Sequence, residues 1–169
     1  MTHAERIARL RLIRTPNIGP VSWQQLMQRF GSGAAVIDAL PDLAVRGGGK
    51  LRVASADIAE REMARVAELG ARHVFRDEAD YSPLLREVEG APPALIVRGD
   101  TAMLQRPCVA IVGARNASAV ACRFARRLAV DLAGHGVTVV SGLARGVDTA
   151  AHVGAMGGST AGVIASGID

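Results

Sequence analysis

The chain has 169 residues, enough for one ordinary domain or for a small domain and part of a larger one. Hydrophobic residues make up 49% and the mean hydropathy is +0.21, which excludes a globally disordered chain. The N-terminal segment "MTHAERIARLRLIRTP" has no apolar stretch that resembles a signal-peptide core, and no segment reaches the length of a membrane span. The net charge is +4, and arginine supplies every basic residue except Lys50, so nucleic acid is one candidate partner, although a modest positive charge is also common without one.

The first seventy residues carry helical patterns. Ile7, Leu10 and Ile13 recur at helical spacing, Pro20 suits the first turn of a second helix, and Gly31 suits its end. The segment "RGGGK" at residues 46–50 predicts a turn. We therefore predict an all-helical domain over residues 1–70. Two further helices are predicted after the caps Ser32 and Ser55, with apolar sides made of Val36, Ile37 and Leu40, and of Ile58, Met63, Val66 and Leu69.

The stretch "LIRTPNIGPVSWQQLMQRFG" is similar to a helix–hairpin–helix, in which a glycine hairpin offers backbone N–H groups to DNA phosphate. Asn17 stands where the motif has its first glycine, which asparagine tolerates because it accepts a positive φ. Pro20 removes one N–H donor after Gly19. A helical module used for packing or partner contacts fits the pattern as well as a second DNA site does.

From residue 71 the pattern alternates between strands and helices. "RHVF", "PALIVRG", "CVAIVG", "VTVVSG" and "TAGVIASG" have the length and composition of short or buried strands, with helices over residues 119–135 and 148–156. This order predicts right-handed βαβ units, so the fold class is α/β, with a Rossmann-like parallel sheet over residues 71–169. Such a sheet normally has further strands, so we expect only its first half here. On the longer helix we expect Phe124, Leu128 and Leu132 to face inward.

Two loops, "GARNAS" (residues 113–118) and "SGLARGVD" (residues 141–148), follow successive predicted strands. Open α/β sheets bind ligands at the carboxyl ends of their strands, where the following helices also direct their positive ends. The sequence therefore predicts an anion-binding pocket. Its candidate phosphate-binding residues are Gly113, Arg115, Ser118, Ser141, Gly142, Arg145 and Gly146.

A dinucleotide is a poor candidate for this anion. The GxGxxG fingerprint has glycine where this chain has Arg115 and Ser118, and the next strand ends in Ser141 and Gly142 where an acidic residue would bind a ribose. No GxxxxGK[ST] pattern occurs either. We therefore predict no nucleotide cofactor and expect Arg115 to approach phosphate with its side chain.

Each arginine has a structural alternative, which is an internal ion pair with Asp148 or another acid. Asp148 suits a helix N-cap, and His152 lies one turn later on the same face, so an i,i+4 contact or a loop-bracing role is predicted for this pair. An Asp–His catalytic dyad is the alternative, but it would need Ser141 or Ser118 as nucleophile without a GxSxG elbow.

The histidines are scattered and Cys108 and Cys122 do not form a close pair, so we predict no metal site and a reducing compartment.

The blocks "CVAIVGARNAS", "VTVVSGLARGVDTAAHVGAM" and "GGSTAGVIASGID" resemble the DNA-processing protein A family (DprA, also called Smf), through its GxR and SGxA[RK]GxDxxAH motifs. The resemblance implies a cytoplasmic bacterial protein that binds single-stranded DNA during natural transformation, protects it and helps to load the RecA recombinase, without catalysis. It implies a sterile-alpha-motif-like N-terminal module and a homodimer in the full-length protein. Arg115 matches the GxR arginine and Arg145 the basic residue of the second motif.

The chain departs from the family in two respects. Val120 and Ala121 stand where members often have Tyr-Gly, and members continue beyond "GID" with further DNA-contacting and dimerisation surfaces, so we expect weaker DNA binding or no dimer from these residues alone. Two other functions stay open. One is a Rossmann-like nucleotide-processing hydrolase that uses Asp148 or His152, and the other is a scaffold that only mediates protein interactions.

Overall fold

A computed structural model describes residues 1–46 and 51–168; the turn predicted for "RGGGK" falls mainly on residues 47–50, outside the described part. The chain divides into two compact units. The first comprises residues 1–78 and 84–98, and the second comprises residues 79–83 and those from 99 onward. No helix in the described part combines the length and the apolar character that crossing a membrane requires.

Four helices begin the first unit: α1 (His3–Ile13), α2 (Pro20–Phe30), α3 (Gly33–Arg46) and α4 (Ala56–Glu68). Local chemistry explains their ends. Pro20 lies in the first turn of α2, Gly31 ends that helix in the left-handed conformation, and the Ser32 hydroxyl accepts a hydrogen bond from Ala35 N at 3.2 Å. Asn17 has a φ of 67°, which forms the turn between α1 and α2. This helical unit agrees with the helical prediction for the first seventy residues.

Two apolar clusters hold these helices together. Leu10 packs with Ile7 and Ala59 between α1 and α4, and the second cluster joins α1, α2 and α3. One predicted inward residue is wrong: Ile58 is exposed and its neighbour Ala59 is buried, because α4 presents the smaller side chain to α1. The second cluster consists of Leu12, Ile18, Trp23, Val36 and Leu40.

The first unit also contains a β-hairpin. Strands β1 (Arg72–Phe75) and β2 (Ala94–Val97) pair antiparallel, with the short helix α5 (Pro83–Arg86) between them in the chain. Buried Arg9 of α1 donates to Asp77 at 2.6 Å, beyond the end of β1. This ion pair and the packing of β1 on α4 explain why the hairpin belongs with the helices, whereas the sequence placed the boundary between domains at residue 70.

The second unit contains the parallel sheet. After a 3₁₀ turn (Thr101–Gln105) come β3 (Cys108–Ala110), α6 (Ala119–Gly134), β4 (Thr138–Ser141), α7 (Val147–Ala155) and β5 (Thr160–Gly162). The strands pair in parallel in the order β3-β4-β5, with Val109 opposite Val139 and Val139 opposite Thr160. The strands are shorter than the apolar runs that predicted them. The predicted α/β class and Rossmann-like parallel sheet are confirmed.

Small side chains form the core of the second unit. Ala125 and Ala129 of α6 are buried against α7 and β4, and the larger Phe124 is 69% exposed and Leu128 37% exposed. The inward orientation predicted for Phe124 and Leu128 is therefore wrong. Alanines occupy the contact because α6 and α7 pack closely there. Leu132, the third residue predicted to face inward, does pack against this core.

Glu62 of α4 connects three elements of the first unit. It binds the Arg14 guanidinium through two hydrogen bonds of 2.6 and 2.7 Å, and the buried His73 Nε2 lies 3.0 Å from its Oε1. Burial alone would raise the pKa of Glu62, but the hydrogen bonds from His73 and Arg14 outweigh it and lower that pKa to about 2. The charged carboxylate is therefore the form that stabilises the fold.

We expect this group to contribute to acid unfolding. A carboxyl pKa that is lower in the folded state stabilises the protein above its ordinary pKa of 4.5 and loses that contribution as the pH falls towards about 2. Glu62→Gln should therefore lower the free energy of unfolding at pH 7 and flatten its fall between those two pH values, measured by urea denaturation. Glu60→Gln, an exposed carboxylate on the same helix, is the control. If the free energy of unfolding falls with pH equally steeply in the wild type and in Glu62→Gln, the stabilising role of the Glu62 carboxylate is contradicted.

Candidate functional site

Two loops lie side by side at the carboxyl edge of the parallel sheet. The first strand-end loop (residues 111–118) connects β3 to α6, and the second strand-end loop (residues 142–146) connects β4 to α7. Because β3 and β4 are neighbouring parallel strands, both loops leave the sheet at the same edge. The structure therefore brings together the two motifs that the sequence analysis selected.

Gly146 is the point of contact between these loops. Its φ is 82°, and a Cβ at this position would lie 2.3 Å from the Ala114 carbonyl oxygen and 2.7 Å from the Arg115 carbonyl oxygen. Val147 N donates to the same Ala114 oxygen at 3.3 Å. Any side chain at residue 146 would collide with backbone atoms, so glycine is required for the loops to touch.

Arg115 and Arg145 are both exposed, one on each strand-end loop. Within residues 1–46 and 51–168 neither guanidinium makes a hydrogen bond or an ion pair. The internal pairing with Asp148 that the sequence left open does not occur, because that carboxylate has a different partner. Both cations are therefore available to an external anion.

Asp148 braces the second strand-end loop from inside. The residue is 7% exposed, and its Oδ2 accepts a hydrogen bond from Gly142 N at 3.2 Å. The prediction of an N-cap at this position needs correction: Gly146 is the N-cap of α7, and Asp148 lies in the first turn, where the helix dipole favours a negative charge. Since Gly142 gives its N–H to Asp148, we assign Gly142 to loop positioning instead of direct phosphate contact.

His152 contacts β5 instead of Asp148. Its Nδ1 lies 2.8 Å from Thr160 Oγ1, and the Thr160 hydroxyl donates to the Val139 carbonyl at 3.0 Å. The Thr160 hydroxyl has a single hydrogen, which it donates to Val139, so His152 Nδ1 must be the donor in the hydrogen bond to Thr160 Oγ1. The predicted i,i+4 contact is therefore not formed, and the geometry contains no Asp–His dyad.

The two serines of the candidate site have structural partners. Ser141 is 3% exposed, and its hydroxyl donates to the Ile111 carbonyl at 2.7 Å, which joins the ends of β4 and β3. Ser118 is exposed and caps α6 by accepting from Ala121 N at 3.2 Å. Ser141 therefore positions the loops from within the sheet. Gly113 is exposed in the first strand-end loop and remains a candidate for backbone contact with an anion.

Leu143 is a feature that the sequence analysis missed. It has a φ of 56°, a left-handed conformation that is unusual for leucine, and it is 61% exposed at the tip of the second strand-end loop. Its side chain lies over Gly162 of β5. No local sequence signal marks this conformation, because the surrounding backbone and not the residue type imposes it.

Comparisons with known proteins agree with this fold and with the motifs. The family described as "DNA recombination-mediator protein A" matches residues 72–169, and the "DprA-like N-terminal HHH domain" matches residues 3–64. A solved structure of DNA processing protein A from Streptococcus pneumoniae has a TM-score of 0.70 at 23% identity and covers 95% of this chain and 58% of that one. At this identity the likeness concerns the fold.

Curated relatives support the same assignment. The chain is 39% identical over 87 residues to "DNA processing protein DprA" of Streptococcus pneumoniae, covering 50% of this chain and 30% of the relative. It is 40% identical over 80 residues to "Protein Smf" of Escherichia coli, covering 47% of this chain and 21% of the relative. The chain thus spans well under two thirds of these relatives. With more than half of its residues matched to one family, the chain belongs to the DNA-processing protein A (DprA/Smf) family.

Proposed function

We propose that this chain binds single-stranded DNA at the two strand-end loops and acts in DNA processing during recombination or transformation. One observation carries the proposal: two exposed arginines, Arg115 and Arg145, have no internal partner in the described chain and project from two loops that touch at Gly146. Unpaired guanidinium groups at the positive ends of helices favour a polyanion. Binding through phosphates is largely independent of base sequence.

The candidate residues divide into two roles. Arg115 and Arg145 bind phosphate oxygens, and exposed Gly113 and Ser118 border the same anion site at the start of α6. The others hold the loops in place: Ser141 through Ile111, Asp148 through Gly142, Gly146 through its contact with residues 114 and 115, and His152 through Thr160.

The wider role follows from the family resemblance and is part of the proposal. Relatives carry the names DNA processing protein and DNA recombination-mediator protein. We propose that the full-length protein works in the cytoplasm, protects single-stranded DNA, helps to load RecA and forms a homodimer. The described loops account for the DNA contact within that role.

The hydrolase alternative has no specific observation in its favour. It needs Asp148 or His152 as a reacting group. Asp148 is a buried residue whose carboxylate is hydrogen-bonded to Gly142 N, and the His152 imidazole is hydrogen-bonded to Thr160. Incubating the protein with nucleotides and assaying for base release tests this alternative. Base release that is lost in Asp148→Asn would contradict the binding proposal.

The first prediction from the proposed function concerns the two arginines. Arg115→Ala and Arg145→Ala should each weaken binding to a single-stranded oligonucleotide by about tenfold, the loss of one charge-assisted contact. Each should also reduce the slope of log K against log salt by about 0.7. Fluorescence anisotropy at several salt concentrations measures both quantities.

Arg127→Ala is the matched control, because it removes an equal charge from an exposed arginine outside both strand-end loops. The control should keep nearly the wild-type affinity. Unchanged affinity in both loop variants, or an equal loss in the control, would contradict the proposed site.

The second prediction tests the contact at Gly146. Gly146→Ala should lower the free energy of unfolding and weaken DNA binding, because its Cβ would force the two loops apart. Gly136→Ala is the control: its φ of 75° makes a side chain equally strained, but no atom lies within 4 Å of the added Cβ.

We expect Gly136→Ala to cost about 1 kcal/mol of stability and to leave DNA affinity unchanged. Gly146→Ala should cost more and also reduce affinity. Thermal unfolding and anisotropy distinguish the two variants. If both glycine variants behave alike, the loops do not depend on this contact.

A further inference from the structure

A groove of about 510 Å³ lies between α6 and α7, and it is lined by residues of the second motif together with α6 residues that belong to neither motif. Arg123 and Arg126 of α6 line it, and Arg145 and Gly146 lie at the start of α7. Val153 lines it further along α7. No acidic side chain is among the residues that line this part of the described structure.

The three arginines of the groove are exposed and unpaired. Arg123 and Arg126 are three residues apart on one helix, so their side chains lie on neighbouring positions of the same face. Like Arg145, neither makes a hydrogen bond or an ion pair with any residue the structure describes. Three guanidinium groups facing one groove without acids repel one another and are stabilised by an anionic ligand.

The close packing of the two helices gives the groove its shape. A Cβ at Gly154 of α7 would lie 2.3 Å from the Arg126 carbonyl oxygen and 2.9 Å from the Ala129 Cβ, so the helices are in backbone contact there. Because the backbones of α6 and α7 touch there, the groove lies at the surface between the side chains of the two helices.

The groove continues from the strand-end loops. Gly146 lines the groove and also contacts the carbonyl oxygens of Ala114 and Arg115. From Gly146 to Val153 the helix rises about 10 Å, at about 1.5 Å per residue. A stacked strand rises about 3.4 Å per nucleotide along its axis, so this length corresponds to about three nucleotides.

We propose that single-stranded DNA leaves the strand-end loops along this groove, where Arg123 and Arg126 bind successive phosphates beyond the one held at Arg145. This inference rests on the proposed DNA binding at Arg115 and Arg145 and extends it to two residues outside the family motifs. The apolar surface of Val153 and Ala150 contacts the sugars between the phosphates.

Oligonucleotide length tests the path. On a long oligonucleotide of about 12 nucleotides, the double variant Arg123→Ala/Arg126→Ala should bind about tenfold more weakly or worse, with a salt slope lower by about 1.4. On a trinucleotide, which occupies only the strand-end loops, its affinity should equal that of the wild type. Arg127→Ala, on the same helix but outside the groove, should bind both oligonucleotides normally.

The outcomes separate this inference from the proposed function. If Arg115→Ala and Arg145→Ala weaken binding but the double variant does not, the groove path is overturned and the proposed function stands. If none of these variants weakens binding, the proposed function fails as well. Equal losses in the double variant and in Arg127→Ala, or an equal loss on the trinucleotide, would also overturn the path.

A cysteine thiol in the groove allows DNA bound there to be detected without replacing any arginine. Cys122 lines the groove and is partly buried, and Cys108 is the other free cysteine. In a Cys108→Ser protein, the long oligonucleotide should slow the alkylation of Cys122 several-fold, and the trinucleotide should not. Alkylation at an unchanged rate with the long oligonucleotide bound would overturn the path.

Discussion

The contact of Gly146 with the backbone of residues 114 and 115 is the constraint on which the candidate site depends. Two loops from neighbouring strands leave the same sheet edge, but neighbouring loops need not touch. A residue without a side chain, in a left-handed conformation, allows the start of α7 to lie directly on the first strand-end loop. This contact places the chain segments that carry Arg115 and Arg145 beside each other.

Between the first strand-end loop and β5, the arginines have no ion-pair partner among the described residues. Residues 111–160 contain five arginines and two aspartates. Asp148 is buried and bonded to the Gly142 backbone, and Asp131 lies exposed on α6 without a described ion pair. In the first unit, Arg9 and Arg14 have carboxylate partners instead. Those two arginines help to hold the fold together, whereas Arg115 and Arg145 are available to a ligand.

Several expectations were wrong for one reason. Residue type and periodicity predict which side chains could be buried or could bind a ligand, but the neighbouring elements decide which of them are. Phe124 and Leu128 fit an inward apolar stripe, yet the close approach of α7 selects Ala125 and Ala129 for the contact. Ser141 lies in a loop whose composition predicted phosphate binding, yet its hydroxyl donates a hydrogen bond to the Ile111 carbonyl and joins the ends of β4 and β3. Arg123 and Arg126 belong to no motif, so only the packing of the two helices shows that they share a surface with Arg145.

Local chemistry in the sequence was sufficient to determine the helices of the first unit, the βαβ order, the two strand-end loops and the family, because periodicity, caps and glycine-containing turns act over a few residues. Only the tertiary structure decided which groups meet: the partner of His152, the bond from Gly142 to Asp148, the inward face of α6 and the hairpin's place beside α1. These depend on atoms that are distant in the chain, and their positions follow from packing that no local pattern specifies.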